Sequence, residues 1–371
     1  MPDNKKYVEL LWAEKYDRYE KGEKKPIEKP NLPFQVVETV NKPRIKGGYT
    51  ISFFPEDEYP ANYSKDWKNL LIWGDNKLVM SSLIKQGWVG KINLIYIDPP
   101  FFTGSDFTIR TKIGDEAIEK EPSIIEERAY KDTWSGGIAS YLEYMYERLV
   151  LMRELLAENG SIYVHLDWHA GHYVKVMMDE VFGPGGENKL GFRNEISWCY
   201  RTGGAPSKEA DFPKKHDIIL FYSKNANPKF NKLKERVYYE KPFFTSLRDA
   251  SGRYYADVLL RDVLQDKITL VLNNSKLLTV NVKPVINVSA ECLNFLTQKS
   301  EGLLQVLLMA TTDPGDIVAD FFCGSGTTLA TAEKLGRKWI GSDLSKFAIQ
   351  VTRKRLLDIH NSKDLTENEK R

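Results

Sequence analysis

Four consecutive residues, Asp98-Pro99-Pro100-Phe101, join a carboxylate, two prolines and an aromatic ring. Proline has no N–H, so its neighbourhood is rich in hydrogen-bond acceptors and poor in donors. Such a site suits an amino group. An exocyclic base amine is a weak nucleophile because its lone pair is delocalised into the ring. If the Asp98 carboxylate and the Pro99 carbonyl each accept one N–H, the nitrogen can pyramidalise and attack a methyl sulfonium in line. A carboxylate is too weak a base to deprotonate a neutral amine beforehand, so the proton leaves during or after transfer. Phe101 would stack on a base turned out of a duplex, with Phe102 as a second wall. By itself the tetrapeptide could equally be a turn that ends a strand.

A second segment, Asp320-Phe321-Phe322-Cys323-Gly324-Ser325-Gly326-Thr327-Thr328, ends a strand and opens a helix. Its glycines permit a tight turn and close backbone approach to a ligand. Asp343 follows Gly324 by 19 residues, at the end of the next strand, where a carboxylate could hold two ribose hydroxyls. The third glycine of the dinucleotide pattern is missing, since Leu329 stands there. That favours a mononucleoside-like cofactor without pyrophosphate.

The elements that must position these motifs follow from periodicity. Ile92 to Ile97 is almost continuously apolar, as in a strand buried on both faces of a parallel sheet. Leu142, Met145, Leu149, Met152 and Leu156 recur at helical spacing, with Gly160 at the stop position, and Ser161 to Leu166 reads as the next buried strand. Val174, Met177, Met178 and Val181 mark another helix, closed by the glycine-rich turn from Phe182 to Gly186. Ile196, Trp198 and Tyr200, then Ile218 to Phe221, suggest two strands joined by a polar loop. Strand and helix grammar resumes at Ile317 and continues through a helix carrying Leu329, Ala332 and Leu335 to a strand at Trp339-Ile340-Gly341. Alternating strands and helices predict an α/β fold. The expected divisions are an N-terminal extension wrapping the core (1–68), a first half-domain (69–222), an irregular, partly basic insertion (223–290), a second half-domain (291–358) and a charged tail (359–371).

Composition is that of an ordinary globular chain, with 371 residues, 42% hydrophobic and 28% charged. A net charge of +2 means that any polyanion must meet a local basic patch. The three cysteines, Cys199, Cys292 and Cys323, show no CxxC spacing, which argues against a disulfide framework or structural zinc. With no signal-peptide pattern at Met1 to Lys6 and no apolar run of membrane-spanning length, a cytoplasmic protein without a membrane partner is expected.

Together these residues resemble the beta-class DNA amino-methyltransferases, in which the catalytic motif precedes the cofactor motif, a circularly permuted order. Matching features run from Leu71-Ile72-Trp73-Gly74-Asp75-Asn76 through the tetrad with Thr103-Gly104, then Tyr130, Asp132 and Trp134. They continue through Gly160 to Val164, Asn194 to Trp198 and Thr297-Gln298-Lys299 to the glycine turn and Asp343. The resemblance implies a Rossmann-like S-adenosylmethionine methyltransferase sheet with an inserted target-recognition segment. It implies S-adenosylmethionine as cofactor, lined by Asp320, Phe322, Cys323, Gly324, Ser325, Gly326 and Thr327, with Asp343 on its ribose. Asp75, Asn76 and Lys299 look like contacts to its adenine and methionine ends. It also implies double-stranded DNA as substrate and adenine N6 as target, as in type III modification subunits and in orphan or type II enzymes. A homodimer and a cognate restriction endonuclease are the further partners that it suggests. Two departures stand out: Ser300 replaces the proline that often follows the lysine, and Phe101 replaces the commoner tyrosine.

His165, Asp167, His169 and His172 imitate a metal site, but packing and helix capping suit them better, and no metal is expected. Cys323 lacks an activating histidine or basic cluster and reads as a small spacer. Arg201, Lys208, Lys214 and Lys215, with Arg248, Arg253 and Arg261 in the insertion, are candidate DNA contacts that a solvated loop would explain almost as well. Rival functions are a cytosine-N4 methyltransferase, which would more often carry Ser-Pro-Pro, a structured-RNA or protein-glutamine methyltransferase, which would usually place the cofactor motif first, a catalytically silent DNA-binding modification subunit, and a nicotinamide oxidoreductase, which would leave the tetrad without a purpose.

Overall fold

The computed structural model describes residues 9–12, 15, 19–20, 23–24, 27–38, 67–102, 109–113, 116–120, 136–186, 190–200, 212–242, 245–272, 275–285, 292–293 and 298–359. Thr103-Gly104, Tyr130, Asp132, Trp134, Arg201, Lys208 and Thr297 lie outside the described residues.

The first half comprises β1 (Leu70–Trp73), α1 (Asn76–Leu83), β2 (Ile92–Ile97), α2 (Ile138–Leu155), β3 (Leu156–Leu166), α3 (Gly171–Phe182), β4 (Gly191–Cys199) and β5 (His216–Ser223). The segment that follows forms β6 (Lys234–Tyr239), β7 (Leu247–Arg248), β8 (Tyr254–Leu259), β9 (Val263–Gln265), β10 (Lys267–Val271) and β11 (Leu277–Asn281). The second half is α4 (Glu301–Thr311), β12 (Ile317–Asp320), α5 (Thr327–Lys334), β13 (Lys338–Asp343) and α6 (Lys346–Leu357).

Eight strands make one sheet in the order β9-β4-β5-β3-β2-β12-β13-β1. From β3 to β1 every neighbour is parallel, whereas β5 runs antiparallel to both β3 and β4. The chain leaves β2 towards β3 and leaves β12 towards β13, in opposite directions. The gap beyond the carboxyl ends of β2 and β12 is therefore a topological switch point, where open α/β sheets bind ligands. This is the Rossmann-like α/β sheet that the sequence implied.

Period-two alternation splits the core. Ile95 and Ile97 of β2 pack with α1, α2 and α3 on one face. Leu94 and Tyr96 pack with α4, α5 and the insertion on the other. Each buried aliphatic of this kind contributes about 1.5–3 kcal/mol. Both faces must therefore be covered, and they are.

Two expectations need correction. Leu156 does not belong to the helix: α2 ends at Leu155, and Leu156 closes it through an N–H bond to Met152 O before turning extended. Gly160 is thus no helix stop but part of β3, where a Cβ would come within 2.9 Å of the Ala157 carbonyl oxygen. The insertion, read as irregular, contains a regular five-stranded antiparallel sheet, β7-β8-β6-β10-β11, and β9 extends the main sheet beside β4. Its pattern is masked because the inward position Glu235 is a buried carboxylate, held by Arg261 at 2.7 Å.

Pieces of the N-terminal segment touch several helices. Trp12 is buried and bonds Glu143 of α2, Lys15 pairs with Glu180 of α3, and Leu32 N donates to Ser82 of α1. Among the described residues no helix is long and apolar enough to cross a membrane.

Candidate active site

Asp98 leaves β2 at the switch point, and Pro99 and Pro100 cannot extend the ladder that β2 makes. The chain then turns sharply, with Phe102 in the left-handed region at φ 60°. For a bulky side chain that conformation costs about 1–2 kcal/mol. Asp98 Oδ2 accepts from Lys299 Nζ at 2.6 Å, and Oδ1 is buried with no hydrogen-bond partner among the described residues. An ionised oxygen buried without a donor calls for one. The acceptor that the tetrad offers is therefore Oδ1.

Phe101 is braced from behind. Its ring stacks on His165 at 6.0 Å between centroids and 25° between planes. His165 is fully buried at the end of β3, in register with β2. Its Nδ1 lies 2.8 Å from the Tyr96 hydroxyl and its Nε2 lies 3.1 Å from Asp217 Oδ2. Burial pushes the Tyr96 phenol well up, so it stays protonated and donates to Nδ1, which leaves the Nε2 proton for Asp217. Asp217 also accepts from Tyr200 at 3.1 Å. Although burial opposes it, hydrogen bonds from His165 and Tyr200 and the Lys299 charge hold the Asp217 carboxyl below its usual range. His165 thus serves as the fixed back wall of Phe101, and His169 is taken up by Asp167 at 2.6 Å.

Across the switch point, β12 ends in Asp320 and the chain turns through Gly324 and Gly326, both at positive φ. Gly326 begins α5 without a side-chain cap, and a Cβ there would stand 2.5 Å from Thr352 of α6. The turn is held by Asp343, whose Oδ2 accepts from Gly324 N at 2.8 Å and whose Oδ1 accepts from Ser345 N at 2.9 Å. A carboxylate has about four acceptor directions, a chemistry that suits ribose hydroxyls. Phe322 is half-buried and meets Tyr144 edge-on at 6.4 Å. Asp320, Cys323, Ser325 and Thr327 are buried. Asp320 accepts from Phe322 N and from the Thr328 hydroxyl, and burial raises its carboxyl to about 7, helped by the nearby Asp98 and Asp343 charges. Burial likewise pushes the Cys323 thiol well up, which makes it inert as a nucleophile.

Asp75 caps α1 through Lys77 N and Leu78 N, and Asn76 donates to the Phe321 carbonyl at 3.1 Å. A residue that the sequence reading missed ties them together. Arg148, buried on α2, donates to Asn76 Oδ1 at 2.5 Å and to Asp75 Oδ2 at 3.1 Å, with its guanidinium over the Tyr144 ring. The available signal was a cation three residues after Met145 on the apolar face of α2.

The Asp98 and Asp343 carboxylates lie within electrostatic reach of Asp320, and a carboxylate environment repels a pyrophosphate and favours a cationic ligand such as a sulfonium carrying an amine. Glycines for close approach, the Phe322 ring and the carboxylates of Asp343 and Asp75 fit S-adenosylmethionine, which supplies an electrophilic methyl group when bound.

Of the candidate DNA contacts, Lys214 and Lys215 precede β5, at the same edge as Asp98, because β5 runs antiparallel to β3. Lys214 Nζ sits 4.8 Å over the ring of Trp168, which is itself exposed just after β3. Arg248 lies on the insertion sheet, against Tyr254, with Arg253 over Tyr238 and Arg261 on Glu235. Arg201 and Lys208 are the members of the set outside the described residues.

An acceptor tetrad and a carboxylate-lined glycine turn on either side of one switch point define a methyltransferase that acts on an amino nitrogen. The chain belongs to the DNA methylase family of the N6/N4 type, whose model matches residues 92–354, and its methyl donor is S-adenosylmethionine. The family read from the motifs is thereby confirmed. Type II methyltransferase M.EcaI of Enterobacter cloacae is 28% identical over 339 residues, covering 77% of this chain and 69% of that protein. The type III EcoP15I Mod subunit of Escherichia coli is 28% identical over 214 residues, 56% of this chain but 31% of that subunit's length. Among solved structures, the M1.HpyAVI complex with S-adenosylmethionine matches with TM-score 0.47 and 18% identity, covering 77% of this chain and 98% of that one. The cytosine-N4-specific PvuII DNA methyltransferase matches with TM-score 0.48 and 17% identity, covering 84% and 93%.

Proposed function

We propose that the protein is a site-specific DNA methyltransferase that transfers the methyl group of S-adenosylmethionine to adenine N6 in a base turned out of double-stranded DNA. The observation that carries this reading is Asp98 itself, with a buried oxygen that lacks a donor among the described residues, beside the braced ring of Phe101. The amine donates one N–H to Asp98 and one to the Pro99 carbonyl, its lone pair leaves conjugation, and it attacks the methyl carbon in line. The C–S bond breaks as the N–C bond forms, and the ammonium proton passes to Asp98 or to solvent. Phe101 stacks on the base, with His165 fixing the ring plane. Lys214 and Lys215 contact phosphates at the catalytic edge, Arg201 joins them, and Arg248 does so from the insertion, which reads the target sequence. Asp98 where cytosine-N4 enzymes more often carry serine favours adenine, and cytosine N4 is the second reading, because the same acceptors serve either amine.

Incubation with tritiated S-adenosylmethionine and unmethylated DNA should place label in the DNA. The silent-subunit reading survives only if no label enters the DNA. Mapping DNA from an expressing host for N6-methyladenine against N4-methylcytosine then decides the base and reveals the recognised sequence. N4-methylcytosine at a single motif would overturn adenine specificity.

A further inference from the structure

The ammonium of Lys299 lies 2.6 Å from Asp98 Oδ2 and 5.1 Å from the centre of the Phe101 ring. A carboxylate to receive an N–H and a ring face to cover a π system are the two contacts that a base amine and its ring would need. The lysine meets both from within the chain, 201 residues away in sequence. Its side chain is 11% exposed and that of Asp98 16%, so water does not take over either role. The backbone at Lys299 is fixed: its carbonyl accepts from Thr327 at 3.2 Å, and the next residue, Ser300, is buried and caps α4. The four-carbon stem beyond that anchor remains free to turn. A second anion is within electrostatic reach, since the Lys299 charge acts on Asp217.

We propose that Lys299 is a placeholder for the target base: without DNA its ammonium holds Asp98 Oδ2 and covers the Phe101 ring, and a base stacks on Phe101, with its amine on Oδ1, only as the lysine swings aside. The inference rests on the assignment of Asp98 and Phe101 to a target base. It deepens that assignment by naming what the base must displace. A charge-assisted hydrogen bond is stronger than the neutral one that a base amine makes, so isolated bases compete poorly. Binding energy from the duplex, spent elsewhere on the surface, has to drive the exchange. The site is then available in only a fraction of free molecules, and the apparent affinity for a flipped base is reduced by that fraction.

The test uses a duplex carrying the mapped motif, with 2-aminopurine at an adenine target or pyrrolocytosine at a cytosine target, and the full chain without cofactor. Lys299→Met keeps the stem and removes the charge. It should brighten the analogue and tighten duplex binding, by about tenfold if the open form is about a tenth populated. Lys299→Gln, which can still give Asp98 one neutral N–H, should fall between, and it decides the matter if the methionine variant fails to fold. Duplex binding by a folded variant with unchanged or weaker fluorescence overturns the placeholder. Methyl transfer by the unaltered protein to the unsubstituted duplex is measured in parallel. Transfer with no gain in fluorescence sinks the placeholder alone, whereas no transfer at all sinks the functional reading and the placeholder with it.

Discussion

Two neighbouring carboxylates show how position divides labour. Asp98 leaves β2 with one oxygen that lacks a donor among the described residues, while Asp320 leaves β12 with both oxygens bonded inside the protein. Replacing Asp98 by alanine should therefore lower kcat by a hundredfold or more, about the effect of losing one preorganised group at a reacting centre. Calorimetry should find cofactor affinity within about threefold of the unaltered protein, because Asp98 serves the base rather than the donor. Full activity in that variant would sink the proposed chemistry. Asp320 makes a stability statement instead. Burial raises its carboxyl to about 7 against an unperturbed 3.8, so the folded state holds a proton that the unfolded state loses. Stability then falls as pH rises from about 4 to about 7, by up to about 4 kcal/mol, and is level above that. Asp320→Asn, with the Thr328 hydroxyl turned to accept, should flatten that decline. Urea titrations at pH 4.5 and 7.5 measure it, and an undiminished decline in the variant would assign it to other groups.

At the scale of elements, what was legible depended on how far burial dictated residue type. β2, buried on both faces, reads directly as Ile92 to Ile97, and α3 was closed correctly by Gly183, at φ 115°. The end of α2 was misread because Leu156 keeps the helical spacing while its backbone already belongs to β3. β6 was missed because Glu235 and Arg261 satisfy each other where an apolar residue was awaited. The insertion is attached through such close contacts. A Cβ on Gly302 of α4 would collide with the backbone of Asn281 in β11, and Trp198 of β4 donates to Val282 O at 2.6 Å. Gly302→Ala should therefore cost about 2 kcal/mol or more and prise β10 and β11 away from α4. Hydrogen exchange should report faster exchange in β10 and β11 than in β2 and β3. Uniform protection would show that the seam yields without opening.

For the whole molecule, the two chemical motifs were readable one by one, and their order indicated the permuted fold. What stayed hidden were the links that join the halves. Asn76 bonds Phe321 across 245 residues, and Lys299 reaches Asp98 across 201. Such links depend on three-dimensional neighbours that no local spacing announces. The strand order also bears on how the protein is made. β1 pairs only with β13, and β2 waits for β12 to cover one of its edges. Contacts of such long sequence separation form late, after the loop-closure entropy has been met. During synthesis the ribosome exposes β1 and the open edge of β2 until the second half emerges, a period in which unpaired strands invite aggregation and chaperone capture. A prematurely terminated chain lacking β12 and β13 carries the tetrad but neither the glycine turn nor the Asp343 carboxylate. Fragments of this enzyme would have no means of modifying the genome.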